Sequence, residues 1–188
     1  MLIKTVLNQL ENYKGFIFGK VSLRKRWFEK PTLVVDILPR KGSRPECPVC
    51  GRKRPVYDTS RSAREVEYLP LWNYRVLFRF FPRRVRCPWD GIQGEWVPWV
   101  DGKEQMTYSY KIFLARWARR LSWNEVATVF ETSWGCVFRA VKMVVDYGLA
   151  HRSLEGVTQI GIDEIAARSH KKRTCTTLRD QGFWLDTG

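Results

Sequence analysis

Apolar and polar positions along the chain change period three times. Leu2 to Leu10 has the spacing of a short helix, and two alternating segments follow, Phe16 to Leu23 and Thr32 to Leu38. The second is rich in β-branched residues and is closed by Pro39 and Gly42, so both read as strands. Arg64 to Leu69 and Arg75 to Phe81 read as a hairpin with Pro70 to Asn73 as its turn; the second strand is expected to run on through Pro82 and Arg83-Arg84-Val85-Arg86 into Cys87. Beyond Val100-Asp101-Gly102 the period becomes helical. Tyr108 to Leu121, Ser122 to Phe130 and Ser133 to Tyr147 contain few breakers, and Gly148 is expected to end the last helix. From Gly156 the strand pattern returns in Val157 to Ile165, followed by a basic turn (Ser169 to Arg173) and a possible second strand. No internal repeat or low-complexity tract interrupts this order, which is that of an α+β multidomain chain.

The length, 188 residues, leaves room for one ordinary domain or two to three small ones, and 44% hydrophobic with 28% charged residues is the composition of a folded protein. No run approaches the roughly 18 to 20 apolar residues needed to cross a bilayer, and Met1 to Leu10 lacks a secretory leader's basic start and long apolar stretch. A membrane partner is therefore not expected, and the location expected is the cytoplasm. Charge changes the picture more. The net value is +14, and it is not spread evenly: residues 1–105 hold 21 basic and 11 acidic side chains, residues 106–152 hold 7 and 3, and residues 153–188 hold 5 of each. A chain basic only for solubility has no reason to segregate its excess, so a polyanionic partner, nucleic acid first, is expected for the first 152 residues.

Cys47-Pro48-Val49-Cys50 is followed by Gly51, an arrangement that lets backbone amides turn toward two thiolates on one metal. Cys87-Pro88-Trp89-Asp90-Gly91 repeats the knuckle, with Asp90 where a zinc ribbon usually has cysteine. Carboxylate oxygen is an acceptable zinc ligand, so Cys47, Cys50, Cys87 and Asp90 form a candidate structural Zn2+ site. The alternative is a buried CxxC with Cys87 as a small core residue. A small hairpin module without a staple buries too little apolar surface, which favours the metal. Redox catalysis fits less well, because the motif is followed by polar and basic residues rather than an apolar helix. Cys136 and Cys175 have no partner spacing.

Ser122 and Glu125 form a capping box at the start of the second helical run, and Trp123, Val126, Ala127 and Phe130 are expected to face a core. After a short turn at Glu131-Thr132, Ser133 can cap a third helix with apolar positions Val137, Phe138, Val141, Val144 and Val145 and a polar face of Gly135, Arg139, Lys142 and Asp146. This spacing suits a helix-turn-helix, and suits an ordinary helical hairpin equally; the basic charge favours DNA. On that reading Ser133, Trp134 and Arg139 reach base edges, Lys142 contacts phosphate, and Arg116, Arg119 and Arg120 add backbone contacts.

Asp163 and Glu164 end the apolar strand Gln159 to Ile165. Mg2+ chemistry on phosphodiesters needs two or three converging carboxylates, and by spacing alone Asp163 is a strand-end residue. The ordered set is more telling. Two knuckles around the Leu69-Pro70 hairpin, Arg-Arg-Val-Arg-Cys, Val97 to Trp99, the helices from Ser122 to Val145 and Ile-Gly-Ile-Asp-Glu together resemble the N-terminal half of a bacterial insertion-sequence transposase of the DDE type, the family called ISL-three. The resemblance covers roughly residues 40–170. It implies a zinc finger and helix-turn-helix that bind the double-stranded terminal inverted repeats of the element, and an RNase-H-like domain whose metal-bound carboxylate triad begins at Asp163. The implied layout is an N-terminal helix and strands (1–46), a zinc-ribbon-like finger (47–105), a helix-turn-helix domain (106–152) and the first strands of an RNase-H-like α/β domain (153–188). Asp180 and Asp186 lie too close to Asp163 to serve as the second carboxylate, so the expectation is a truncated transposase that binds DNA and does not transpose by itself. Mg2+ would enter only if the triad were completed. A separately encoded C-terminal half, dimerisation, or pairing with intact transposase are the partners this implies besides DNA.

Overall fold

The alternating segments before residue 40 do not stand alone but share a sheet with the hairpin that follows the first knuckle. In the computed structural model the elements run α1 (Ile3–Leu10), β1 (Phe16–Arg24), β2 (Thr32–Pro39), β3 (Val56–Thr59), β4 (Arg64–Leu71), β5 (Tyr74–Phe80), β6 (Arg83–Cys87), β7 (Gly91–Gly94), α2 (Tyr108–Trp117), α3 (Trp123–Val129), α4 (Trp134–Ala150), β8 (Gln159–Ile165) and β9 (Arg173–Arg179). The structure describes residues 3–25, 30–72, 74–153, 159–165 and 173–179, and for the last two stretches the backbone alone. The architecture is mixed α and β, as the sequence pattern predicts.

The four-stranded sheet has the order β1-β2-β5-β4, with β2 and β5 parallel and the outer pairs antiparallel. Its core is Leu7, Phe18, Val35, Ile37, Val66, Val76, Phe78 and Phe80, closed by Val97, Trp99 and Val100. Trp99 sets its ring against the edges of Phe16 and Phe80, centroids 4.8 and 5.0 Å away, a favoured aromatic geometry. Strands from both sides of residue 47 build this sheet, so one hydrophobic core spans the expected boundary between the first two modules.

The expected continuous strand from Arg75 into Cys87 is corrected by the structure. β5 stops at Phe80 and the chain changes sheets at Phe81-Pro82, where proline has no N–H for a ladder. β6 then pairs with β3 and β7 in a separate three-stranded sheet, ordered β3-β6-β7. In β6, Arg83, Val85 and Cys87 turn inward while Arg84 and Arg86 turn outward, the period-2 alternation of a strand. Buried Arg83 pairs with Glu95 at 2.6 Å. Burial pushes the Glu95 carboxyl above its usual range against the pull of Arg83.

Residues 101–107 are fastened to the edge of β4. Met106 bridges to Glu67 in parallel. The Glu67 amide donates to the Gln105 carbonyl at 2.7 Å, and the Thr107 amide to the Glu67 carbonyl at 2.9 Å. The Arg64 guanidinium binds the carbonyls of Gly102 and Glu104. The Glu11 carboxylate accepts hydrogen bonds from Tyr68 of β4 and Ser109 of α2, each at 2.8 Å. Burial and Glu11 together push the Tyr68 phenol above its ordinary value.

The three helices pack around Met106, Tyr110, Leu114, Val126, Ala127, Val137 and Ala140. Thr107 caps α2, its side chain accepting from the Tyr110 amide. Ser122 and Glu125 make the full capping box on α3. The Ser133 hydroxyl accepts from the Cys136 amide at 3.2 Å and so starts α4. Between α3 and α4 the turn places Glu131 at φ 51°, a left-handed conformation that non-glycine residues rarely adopt. The Thr132 amide closes it on the Ala127 carbonyl at 2.9 Å.

Three helical expectations need correction. The first run ends at Trp117 rather than Leu121. The third continues past Gly148 to Ala150, because a glycine lowers helix propensity without breaking the hydrogen-bond ladder. Only Val137 of the expected apolar face is buried. Val141 is half-buried, and Phe138, Val144 and Val145 are exposed. The three helices are too few to cover both sides of so long an apolar stripe.

The chain divides into two compact units, residues 1–144 and 145–188. In the second, β8 and β9 form an antiparallel pair in which Asp163 stands opposite Cys175. Residues 154–158 and 166–172, with the expected basic turn and His170, lie outside the described residues, as do Asp180 and Asp186.

Candidate metal centre and nucleic-acid interface

Two short turns bring four candidate ligands together at the end of the β3-β6-β7 sheet. Gly51 and Gly91 follow the knuckles at φ 66° and 72°, values that glycine adopts at no steric cost. The Gly51 amide donates to the Cys47 carbonyl at 3.0 Å. The metal-binding atoms of Cys47, Cys50, Cys87 and Asp90 all lie within 4.8 Å of one another. Cys50 and Cys87 sulfurs are 3.7 Å apart, far beyond a disulfide bond of about 2.05 Å. The Asp90 Oδ2 atom lies 3.5 Å from the Cys47 sulfur and 3.0 Å from that of Cys87.

The 3.7 Å and 3.5 Å separations fit tetrahedral zinc, and the 3.0 Å between Cys87 and Asp90 is shorter than such a site requires. With bonds of about 2.3 Å to sulfur and about 2.0 Å to oxygen, the edges of such a tetrahedron are about 3.8 Å between sulfurs and about 3.5 Å between sulfur and oxygen. The donor set also carries its charge compensation. Three thiolates and a carboxylate exceed a dication by two charges, and the Arg54 guanidinium donates to the Cys50 sulfur at 3.6 Å. The Arg52 backbone amide, with Arg54 assisting, holds the Cys50 thiol below its ordinary value. Burial and the Asp90 carboxylate push the Cys87 thiol up. The same sheet has little other core: its buried cluster is Cys47, Val85 and Cys87, with Cys50 packed against them. A metal here would therefore act as the module's staple.

Arg54 was not foreseen from sequence, and neither were the guanidinium–aromatic contacts around it. Arg52 and Arg54 lie 5.1 and 4.5 Å from the centroid of the Trp89 ring. Arg84 and Arg86 lie 5.4 and 5.5 Å from that of Tyr57. The alternation in Arg83-Arg84-Val85-Arg86 was the available signal, since it separates an inward arginine from two outward ones.

The residues expected to read DNA cluster less simply. Ser133 is engaged as the helix cap and also donates to the Cys136 sulfur at 3.2 Å. Trp134 is half exposed and stacks on Phe138, centroids 5.6 Å apart, with Trp123 at 5.3 Å. Trp123 is thus half-buried: it packs against the helical core, as expected, and also joins this aromatic cluster. Arg139 donates to the Cys136 sulfur at 3.2 Å and lies 3.8 Å from the Glu104 carboxylate, which Lys111 also approaches at 3.2 Å. Burial raises the Cys136 thiol, but hydrogen bonds from Ser133 and Thr132 and the nearby Arg139 charge outweigh it and bring the thiol below its ordinary value. Lys142, Arg116, Arg119 and Arg120 are exposed. Among the described residues Arg116, Arg119 and Arg120 make no ion pair. Asp163 lies on β8, whose side chains are outside the described set.

A groove of about 810 Å³ is lined by the four-stranded sheet and the end of α3. Its cations answer its own acids, Lys30 with Glu131 and Arg75 with Glu67, so it is not an evident anion site. No helix among the described residues is long and apolar enough to cross a membrane.

Two knuckles closing four ligands at the end of a small three-stranded sheet define a zinc ribbon. Residues 43–89 match the family model described as the zinc-finger of transposase IS204/IS1001/IS1096/IS1165. The matched stretch holds all three cysteine ligands and ends one residue before Asp90. It supports structural zinc and a transposase portion of the ISL-three type. No curated protein and no solved structure matches the chain.

Proposed function

We propose that this chain is a DNA-binding portion of an insertion-sequence transposase that recognises the terminal inverted repeats of its element. The observation that carries the reading is the transposase zinc-finger match over residues 43–89, whose cysteines converge with Asp90 on one point. The +14 charge supplies the attraction to phosphate. On this reading α3, the tight turn at Glu131 and α4 act as a helix-turn-helix. Trp134 and Arg139 at the start of α4 face base edges, with Ser133 holding the helix start in place. Lys142, Arg116, Arg119 and Arg120 contact phosphates. Asp163 is the first carboxylate of a DDE triad in this proposal, and strand transfer requires further carboxylates to converge with it on Mg2+.

The test is fluorescence anisotropy on a duplex carrying the terminal repeat that flanks the gene, against a scrambled duplex, across a salt series. A cognate preference of about tenfold or more that survives rising salt is expected, since specific contacts are less salt-dependent than phosphate contacts. Arg139→Ala should reduce that preference by about 1 to 3 kcal/mol, whereas Lys142→Ala should weaken both duplexes alike and flatten the salt slope. Equal, steeply salt-sensitive binding to both duplexes would overturn repeat recognition. Equal losses for the two variants would overturn the roles given to α4.

A further inference from the structure

Of the aromatic rings that the zinc ribbon exposes, Trp89 and Tyr57 have guanidinium groups over them. Trp89, in the turn between β6 and β7, is 67% exposed, and Tyr57 on β3 is 44% exposed. Arg52 and Arg54 approach the first ring, and Arg84 and Arg86 the second. Arg84 is also paired with Asp58. Arg86 and Arg52 make no ion pair among the described residues.

Folding alone does not call for this arrangement. The ribbon's buried cluster uses neither ring, and leaving a tryptophan two-thirds in water forfeits burial energy. Duplex phosphates do not call for it either: cations and hydrogen-bond donors meet them without a ring face, and the bases inside a duplex present edges rather than faces. An unpaired base does present a face. A ring that can stack on it, set among cations that meet the adjoining phosphates, is how proteins hold single-stranded nucleic acid.

We propose that the Trp89 and Tyr57 clusters of the ribbon form a platform for single-stranded DNA, distinct from the duplex contacts assigned to α4. Each ring stacks one unpaired base while Arg52 and Arg86 meet flanking phosphates. This rests on the reading of the chain as a DNA-binding transposase portion and assigns its ribbon the unpaired DNA.

The experiment uses the full zinc-loaded chain and three labelled probes: an oligothymidylate of about fifteen nucleotides, an abasic oligomer of the same length and charge, and a blunt duplex. The parent should bind the oligothymidylate about tenfold more tightly than the abasic strand, because only the first offers faces to stack. Trp89→Leu and Tyr57→Ala should each remove most of that difference and leave blunt-duplex binding unchanged. Trp89 sits between two metal ligands, so its variant is checked for one zinc per chain; Tyr57→Ala lies outside the knuckles and carries the test alone if zinc is lost. Equal binding of the two single strands by the parent, or an unchanged difference in Tyr57→Ala, would overturn the platform. Loss of repeat preference on duplex with the stacking difference intact would overturn the proposed function of α4 and leave the platform standing.

Discussion

At the scale of single residues, the least ordinary choice is Asp90. Its carboxylate lies with three cysteine sulfurs in a cluster that could hold a metal, yet oxygen is a harder and less zinc-selective ligand than sulfur in this company. Asp90→Cys should therefore keep the fold and resist a competing chelator about tenfold better; zinc release followed with a chromogenic chelator checks this, and a weaker hold on zinc would mean that Asp90 is not a ligand. Glu131 is a second unusual choice. Its left-handed backbone sets the angle at which α4 leaves α3, a task for which sequence reasoning looks for glycine, and so the turn was placed correctly while its conformation went unseen. Arg83 taught the opposite lesson. In sequence it is one of a basic run; in the structure it is buried against Glu95, and nothing within its own strand names that partner.

Elements were legible where their signals are local. The Ser122–Glu125 box fixed the start of α3 because both halves lie within one turn. Replacing Ser122 by alanine should cost about 1 kcal/mol, read from denaturant midpoints. The box also carries a pH dependence whose sign follows from Glu125. The Ser122 hydroxyl and amide hold its carboxyl below the ordinary 4.5, so this contribution is complete above that value and is lost as pH falls through the lower folded-state value. A difference between parent and Glu125→Gln in the helix unfolding signal that is constant above pH 4.5 and fades only below it, as the folded-state value is passed, would fit; a constant difference across the whole range would not.

The clustering of Cys47, Cys50, Cys87 and Asp90 was equally legible, since a knuckle is a four-residue motif. By contrast, β3 and β7 have four residues each, too short for a period to register. The parallel pairing of β2 with β5 joins segments about 40 positions apart in sequence, and no local pattern encodes it. The exposure of Phe138, Val144 and Val145 is not legible for a related reason: periodicity shows that a helix has an apolar face, and not how much of that face the neighbours cover.

On the scale of the whole molecule, the three cores depend on different things. The four-stranded sheet and the helices close around aromatic and aliphatic side chains, while the ribbon closes around its ligands. Chelating the zinc should therefore unfold residues 45–60 and 83–96 selectively. Amide hydrogen exchange is expected to lose protection in β3, β6 and β7 and to keep it in β5, α2 and α3; protection lost evenly throughout would mean that zinc staples the entire assembly.

The strap of residues 101–107 along β4 has a consequence in the geometry of DNA itself. On the proposed function, a flexible joint would let the ribbon's unpaired-base contacts and the duplex contacts of α4 form independently, so that the distance between them could vary freely. A joint hydrogen-bonded to a sheet edge would fix that distance in base pairs. Because B-DNA turns once in about 10 to 10.5 base pairs, inserting half a turn between the unpaired bases and the duplex site would carry that site to the far side of the helix axis, making the length of the binding site a property inherited from the backbone of one strand.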